Sequence, residues 1–315
     1  MPQTPKLIHD KKPIYPIVDQ LNEYLSRYGR ITKIPLAYDD LLRFSGSVSV
    51  LNHAEEDTMW VRCYYNEWER KELDQHLTKL YNILHSDGSD YSLDFLNIDA
   101  IDYCTFGNTQ PFRIKVRNIL NDNFSYFYVK KADASRVYGL ELEHLLSPNR
   151  INFLIYENTL IEEHIAGIPG DEFIKYYLPD CDTPAQSLLA REFVKFNERC
   201  TIRLLGDMRA YNYVVIPTHD FERVEYKIRA IDFDQQSYEG DLKVYQPHFF
   251  ADNYQLVKLV ERRLDDKSIE QYRRQERSLI AKRLMNTQRR YNRLLRCMKK
   301  DHIAPSENVR QLRRS

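Results

Sequence analysis

The run Leu205-Gly206-Asp207-Met208-Arg209-Ala210-Tyr211-Asn212-Tyr213-Val214-Val215 decides how this chain is read. Asp207 is followed five residues later by Asn212, and an apolar, β-branched stretch begins at once. Such a stretch predicts a strand. A second short apolar strand, Ile231-Asp232-Phe233-Asp234, follows and ends in acid. A short loop leading into a hairpin brings an Asp, an Asn and a second Asp together.

Outward from this centre, the chain reads as a large soluble protein. Its 315 residues can form two domains or one two-lobed domain. Hydrophobic residues make up 43% and charged residues 29%, which fits a globular class. No stretch reaches the roughly 18 uninterrupted apolar residues of a membrane span. The amino-terminal Met1-Pro-Gln-Thr-Pro-Lys6 has no apolar segment behind its charge, so no secretory signal is expected. Five cysteines are scattered without a Cys-x-x-Cys pair, which points to reduced thiols and a cytoplasmic protein.

Charge is uneven. With 46 basic and 46 acidic residues overall, the 14 Lys or Arg and 3 Asp or Glu from Gln271 onward leave the preceding residues at −11. A basic tail on an acidic body has three uses: binding nucleic acid, binding anionic lipid, or docking on its own body.

The pattern predicts an α+β fold. Residues 1–95 read as a mainly helical extension, with helices at Ile17–Tyr28 and Trp68–Leu84, the latter stopping at Ser86-Asp-Gly88. Met59–Tyr65 is a short strand-like run. Residues 96–165 change to β texture. Strands are expected at Ile98–Thr105, Phe112–Val116 and Ser125–Lys130, with turns at Gly107–Pro111 and Asn121–Asn123. A helix at Ser135–Leu146 follows, then strands at Phe153–Tyr156 and Leu160–Ile165. The expected sheet is therefore five-stranded and antiparallel, with a helix after its third strand. Residues 166–266 read as mainly helical apart from the strands around the Asp/Asn loop. Residues 267–315 read as a long basic helix, roughly Lys267–Lys300, and a polar, disordered tail.

This arrangement resembles the protein-kinase-like superfamily, most closely its aminoglycoside phosphotransferase and choline kinase branch. The resemblance covers about Ile98 to Asp252 and implies a two-lobed fold, ATP and Mg²⁺ as cofactors, and transfer of the γ-phosphoryl group to a hydroxyl of a small molecule or sugar. It implies that Asp207 addresses the acceptor, while Asn212 and Asp232 hold Mg²⁺. Phe127-Tyr-Val-Lys-Lys-Ala-Asp133 resembles the strand whose Lys reaches the α and β phosphates. Lys130 takes that role with Tyr128 on its face against adenine; if Lys131 is the ligand instead, Val129 takes that place. Glu141, with Glu143 as the other candidate, becomes the acid that pairs with the lysine. Glu163, His164 and Ile165 resemble the inter-lobe link that meets the adenine edge through main-chain groups. Arg209 either neutralises phosphate charge or pairs with an acid.

The sequence departs from the family at two places. Leu205 stands where the family usually carries His, and the phosphate turn has only Gly107. These departures motivate the alternative of a catalytically inactive kinase-like module; a protein kinase is the other alternative. The helices that set the acceptor, Tyr238 to Leu264, contain nothing diagnostic. No Walker loop, nucleophile elbow or His-x₃-His pair occurs. The 23 tyrosines read as packing residues, with no cluster on one sheet face beside basic neighbours.

Overall fold

The computed structural model describes residues 12–52, 55–85, 93–219 and 224–314. It is a mixed α+β protein whose chain divides into two compact units. Unit 1 comprises residues 1–134 and 152–164, and unit 2 comprises 135–151 and 165–315.

Unit 1 is a seven-stranded sheet with helices. It contains α1 (Asp19–Arg27), β1 (Gly46–Leu51), β2 (Asp57–Tyr64), α2 (Glu67–His85), β3 (Leu96–Cys104), β4 (Phe112–Asn118) and β5 (Asn123–Lys131). After α3 (Ala134–Leu146), which lies almost wholly in unit 2, the chain returns to unit 1 for β6 (Phe153–Tyr156) and β7 (Thr159–Glu163). Strand order is β1-β2-β3-β4-β5-β7-β6, and every neighbouring pair is antiparallel.

The expected five strands are all present, but the sheet has seven. The two additions come from the segment expected to be mainly helical. β2 falls on the Met59–Tyr65 run. β1, Gly-Ser-Val-Ser-Val-Leu, was missed because it is an edge strand whose residues are nearly all exposed, so no buried face marks its period of two. The stop predicted after α2, at residues 86–88, lies outside the described residues.

Strand alternation gives the sheet two chemically distinct faces. On one, α2 sets Leu73, Leu77, Leu80 and Leu84 against Ile114, Phe127, Val129 and Ile161, all buried. These leucines recur every three or four residues, which places them on one helix stripe. On the other face, cross-strand partners form a row: Arg62, Asp102, Arg113, Tyr128 and Glu162.

Unit 2 holds a smaller three-stranded sheet among helices. In chain order come β8 (Ile168–Pro169), the short turn α4 (Gly170–Glu172), α5 (Thr183–Arg203), β9 (Tyr213–His219) and β10 (Val224–Ala230). α6 (Tyr254–Arg263), α7 (Asp266–Lys300) and α8 (Ser306–Leu312) complete it. Pro184 follows the capping Asp182 of α5, whose side chain accepts the Ala185 amide at 2.8 Å. The tail after Lys300, expected to be disordered, instead folds back. Ile303 is buried, α8 forms, and Asn308 donates to the Tyr238 carbonyl at 3.0 Å. Composition hid this because a helix this short is held by such tertiary contacts rather than by its own propensity. Among the described residues no helix is long and apolar enough to cross a membrane.

Candidate active site

The loop between α5 and β9 begins with a left-handed C-cap at Leu204, φ 54°. Leu205 is buried and bridges to Gln236, whose side-chain amide donates to the Arg203 carbonyl at 2.6 Å. The next polar residue, Asp207, also adopts a left-handed conformation, φ 56°. Aspartate tolerates that region better than most residues. Its amide donates to the Val244 carbonyl at 3.1 Å, and its carbonyl accepts from the Arg209 amide at 2.8 Å.

Asn212 ties this loop to the second acidic segment. Its side-chain Nδ2 donates to the Asp207 main-chain oxygen at 2.7 Å and lies 3.4 Å from Asp207 Oδ2. Its own carbonyl accepts from Ile231 N at 3.0 Å and from Asp232 N at 3.4 Å. The β9–β10 hairpin, paired from Tyr213↔Ala230 to His219↔Val224, thus delivers Asn212 and Asp232 to the same end. Asn253 closes the loop from beneath, donating to the Met208 and Pro247 carbonyls at 2.9 and 2.8 Å while accepting from Tyr213 Oη at 2.7 Å.

Electrostatics separate the acids. Burial pushes the Asp207 carboxyl up to about 6, with Arg209 opposing and the charges of Asp232 and Asp252 reinforcing. Arg209 resolves toward acid pairing: its Nε lies 3.0 Å from Asp207 Oδ1 and its Nη1 3.4 Å from Asp252 Oδ2. Asp232 and Asp234 share the buried guanidinium of Arg136, whose Nη1 lies 2.8 Å from Asp232 Oδ1 and 2.9 Å from Asp234 Oδ1. Arg136 Nη2 also donates to the Ile231 carbonyl at 3.2 Å. Ser135 Oγ donates to the carbonyls of Asp234 and Gln236. The start of α3 therefore clasps the whole Ile231–Gln236 segment.

Sequence reasoning missed Ser135, Arg136, Asp252 and Asn253. Nothing local marks them; each has at least one partner more than forty positions away in sequence.

Among the described residues no group of three or more His, Cys, Asp or Glu is arranged to hold a metal. Mg²⁺ does not demand one, since it is usually held by one or two carboxylates together with phosphates and water. Asn212 and Asp232 fit this pattern. The amide nitrogen of Asn212 is engaged by the loop, so its oxygen is the group it offers, and the Asp232 side chain is about one-third exposed.

In unit 1, Lys130 is 7% exposed and pairs with Glu162 on β7 at 2.8 Å. Its Nζ sits 5.1 Å from the ring centroid of Tyr128, two residues earlier on the same face. Lys131 points to the other face, toward Tyr38. Glu162 was not foreseen, although it lies directly opposite Tyr128 and diagonal to Lys130 in the register. Glu141, expected on the lysine, lies in unit 2 fully buried, where Arg290 of α7 grips both its oxygens at 2.8 and 2.7 Å. Glu143 pairs with Arg203.

The chain leaves unit 1 at His164 and enters unit 2 at Ile165. The Glu163 amide is engaged by the Asn152 carbonyl at 3.0 Å, which removes it as a main-chain donor to a ligand. His164 Nδ1 lies 3.1 Å from Tyr128 Oη, and burial lowers its pKa. Ile165 is buried. Gly107 opens the β3–β4 turn, which is closed by Gln110 N donating to its carbonyl at 3.1 Å.

One expectation about aromatics is reversed. Trp60, Tyr126 and Tyr128 do share a sheet face with a basic neighbour: Arg113 lies 4.6 Å from the Trp60 ring and 5.9 Å from the Tyr126 ring. With Arg113 on β4, Trp60 on β2 and the tyrosines on β5, the group draws on three strands, so no single linear pattern announces it. Arg113 and Arg62 are both neutralised by Asp102, at 2.9 Å each.

No protein-family model matches the chain, and no curated protein matches its sequence.

Proposed function

We propose that this protein is an ATP- and Mg²⁺-dependent phosphotransferase of protein-kinase-like fold that acts on a hydroxyl of a small molecule or sugar. One observation carries the reading. Asn212 binds the Asp207 main chain through its side chain and the Asp232 main chain through its carbonyl. This ties the α5–β9 loop to the segment after β10, so the carboxylate proposed for the acceptor and the two proposed oxygen donors are linked through Asn212, an arrangement that supports phosphoryl transfer.

In this reaction the acceptor oxygen attacks the γ-phosphorus. A new O–P bond forms as the bond to the β–γ bridging oxygen breaks, and the hydroxyl proton passes to Asp207. A carboxyl whose pKa is raised to about 6 is ionised at neutral pH, yet basic enough to take that proton. Mg²⁺, when bound, neutralises developing charge on the phosphates, with Asn212 and Asp232 as its side-chain ligands. Within unit 1, Lys130 is the residue that the resemblance assigns to the α and β phosphates and Tyr128 the ring that it assigns to the base.

A second reading has its own observation: Arg136 already places a cation on Asp232 and Asp234. A kinase-like module that binds nucleotide without metal and without turnover would use it so. An ADP-release assay across sugars, aminoglycosides, amino alcohols and Ser/Thr peptides, run with Asp207→Ala and Asp232→Ala controls, separates the two. Turnover that both substitutions abolish supports transfer. Nucleotide binding that is indifferent to Mg²⁺, with no turnover on any acceptor, supports the module.

A further inference from the structure

From Arg277 to Lys300, α7 carries Lys or Arg at nine positions and no Asp or Glu. Its burial is one-sided. Glu276, Ile280 and Leu294 are buried, and Arg290 and Arg277 form ion pairs within unit 2. Arg290 grips Glu141 and the exposed Arg277 meets Glu198 at 2.5 Å, whereas burial and then the like charge of Arg150 lower the pKa of the half-buried Arg283. These contacts account for the part of the tail that docks on its own body.

The opposite face is different. Lys282, Arg289, Arg293, Arg296 and Lys300 are all exposed. Their spacings of seven, four, three and four residues place them on one stripe of an α-helix. At about 1.5 Å per residue the stripe runs roughly 27 Å. Toward the start of α7 it continues into a surface groove of about 940 Å³, lined by Lys195, Lys267, Arg274 and Lys282, with Asp266 and Glu270 beside them. Lys282 belongs to both.

We propose that this stripe binds the phosphodiester backbone of a nucleic acid. A straight row of cations, mostly arginines, matches a regularly spaced row of phosphates, and the guanidinium fork engages phosphate oxygens bidentately. A membrane surface fits less well. An interfacial helix must bury a broad apolar face among lipids, and α7 turns Ile280 and Leu294 inward while exposing the large apolar side chains Leu279 and Met285 beside the stripe, too narrow a face for that role. Contact through the backbone alone predicts little sequence preference. The proposal is independent of phosphotransfer, because its readout requires no nucleotide turnover.

The test uses the full chain in fluorescence anisotropy with duplex DNA, duplex RNA and single-stranded RNA, and in parallel co-sedimentation with phosphatidylserine vesicles. Probes of about 20 nucleotides exceed the stripe's reach of roughly eight base pairs. Affinity should fall steeply between about 50 and 200 mM salt. Arg289→Gln/Arg293→Gln/Arg296→Gln/Lys300→Gln should weaken binding more than about tenfold and reduce the log–log salt slope by about four; Arg289→Gln/Arg296→Gln should give about half that slope change. Removing four exposed charges elsewhere, as Lys33→Gln/Arg43→Gln/Lys71→Gln/Lys79→Gln, should leave both nearly unchanged. The three probes separate RNA from DNA as the source of phosphate. Equal loss in both quadruple variants overturns the proposal. So does binding confined to phosphatidylserine vesicles, or no salt-sensitive binding to any probe.

Discussion

The side chain of Asn212 donates to the main-chain oxygen of Asp207 across 2.7 Å, so the conformation of one proposed functional residue depends on the other. Asp207 sits at a positive φ that the loop must enforce. Asn212→Ala removes that brace as well as an oxygen donor. It is expected to lower turnover by at least about a hundredfold. Asn212→Asp keeps an oxygen but loses the donor, and should retain more metal affinity than activity. Isothermal titration with Mn²⁺ beside an ADP-release assay checks the split; an Asn212→Ala protein with ordinary turnover would sink the assignment.

Asp207 also predicts a pH signature. Its folded carboxyl titrates at about 6, above the ordinary aspartate value of 3.8, so the folded state favours the protonated form. That contribution to stability is complete below about pH 4 and is lost as pH rises through about 6. Its size is on the order of 1–3 kcal/mol, reduced by the residue's partial exposure. Asp207→Asn should therefore gain stability relative to the parent as pH moves from about 4 to above 6. Melting temperatures across that window measure it, and a constant difference would contradict the burial argument. If the parent protein transfers phosphoryl groups as proposed, its turnover should fall as pH drops through about 6, because the protonated carboxyl cannot accept the acceptor's proton.

Arg136 is buried against Asp232 and Asp234, so its loss leaves two nearby carboxylates without that neutralising cation. Arg136→Gln is expected to cost about 3–5 kcal/mol in metal-free buffer. If the acids are metal ligands, millimolar Mg²⁺ should restore more stability to Arg136→Gln than it adds to the parent, because the ion replaces the lost charge. Thermal melts with and without Mg²⁺ decide this. Equal Mg²⁺ shifts in the two proteins would favour a purely structural role for the arginine.

These cases show what was legible in the sequence. The juxtaposition of Asp207, Asn212 and Asp232 was legible because one loop and one hairpin join them, a separation that local pattern can read. α2 was equally readable, since it buries one leucine stripe and that burial leaves a period, whereas α3 is buried on nearly every side, polar residues included. Arg136 was not, because its contacts lie 96 and 98 residues away and no periodicity encodes a tertiary ion pair. β1 escaped for the opposite reason: an exposed edge strand carries no hydrophobic alternation.

Lys130 and Glu162 form a pair largely shielded from water on the polar face of the unit 1 sheet. Lys130→Met should weaken nucleotide binding by at least about tenfold, since a charge-assisted contact to phosphate is lost. Glu162→Gln keeps a hydrogen-bond acceptor but removes the counter-charge, and should leave nucleotide affinity within about threefold while lowering stability by about 1–3 kcal/mol. Equilibrium dialysis with ATP and denaturant melts separate these effects. Unchanged ATP affinity in Lys130→Met would remove the lysine from the proposed site.

Glu141 has two claims upon it, and one pair of variants distinguishes them. The family resemblance gives it to the phosphate-binding lysine, whereas unit 2 shows both its oxygens held by Arg290 of α7. Arg290→Met removes that bidentate partner from a fully buried carboxylate, so a loss of about 3–5 kcal/mol is expected. Glu141→Gln retains hydrogen-bond acceptance at one oxygen and should cost less. If Glu141 serves only to dock α7, both variants should keep the parental ATP affinity at temperatures where they remain folded. If Glu141 contributes to nucleotide binding beyond docking α7, Glu141→Gln should weaken ATP binding while Arg290→Met does not. Chemical denaturation paired with nucleotide titration reads both quantities, and a loss of less than about 1 kcal/mol in Arg290→Met would show that this ion pair contributes little to holding the long helix in place.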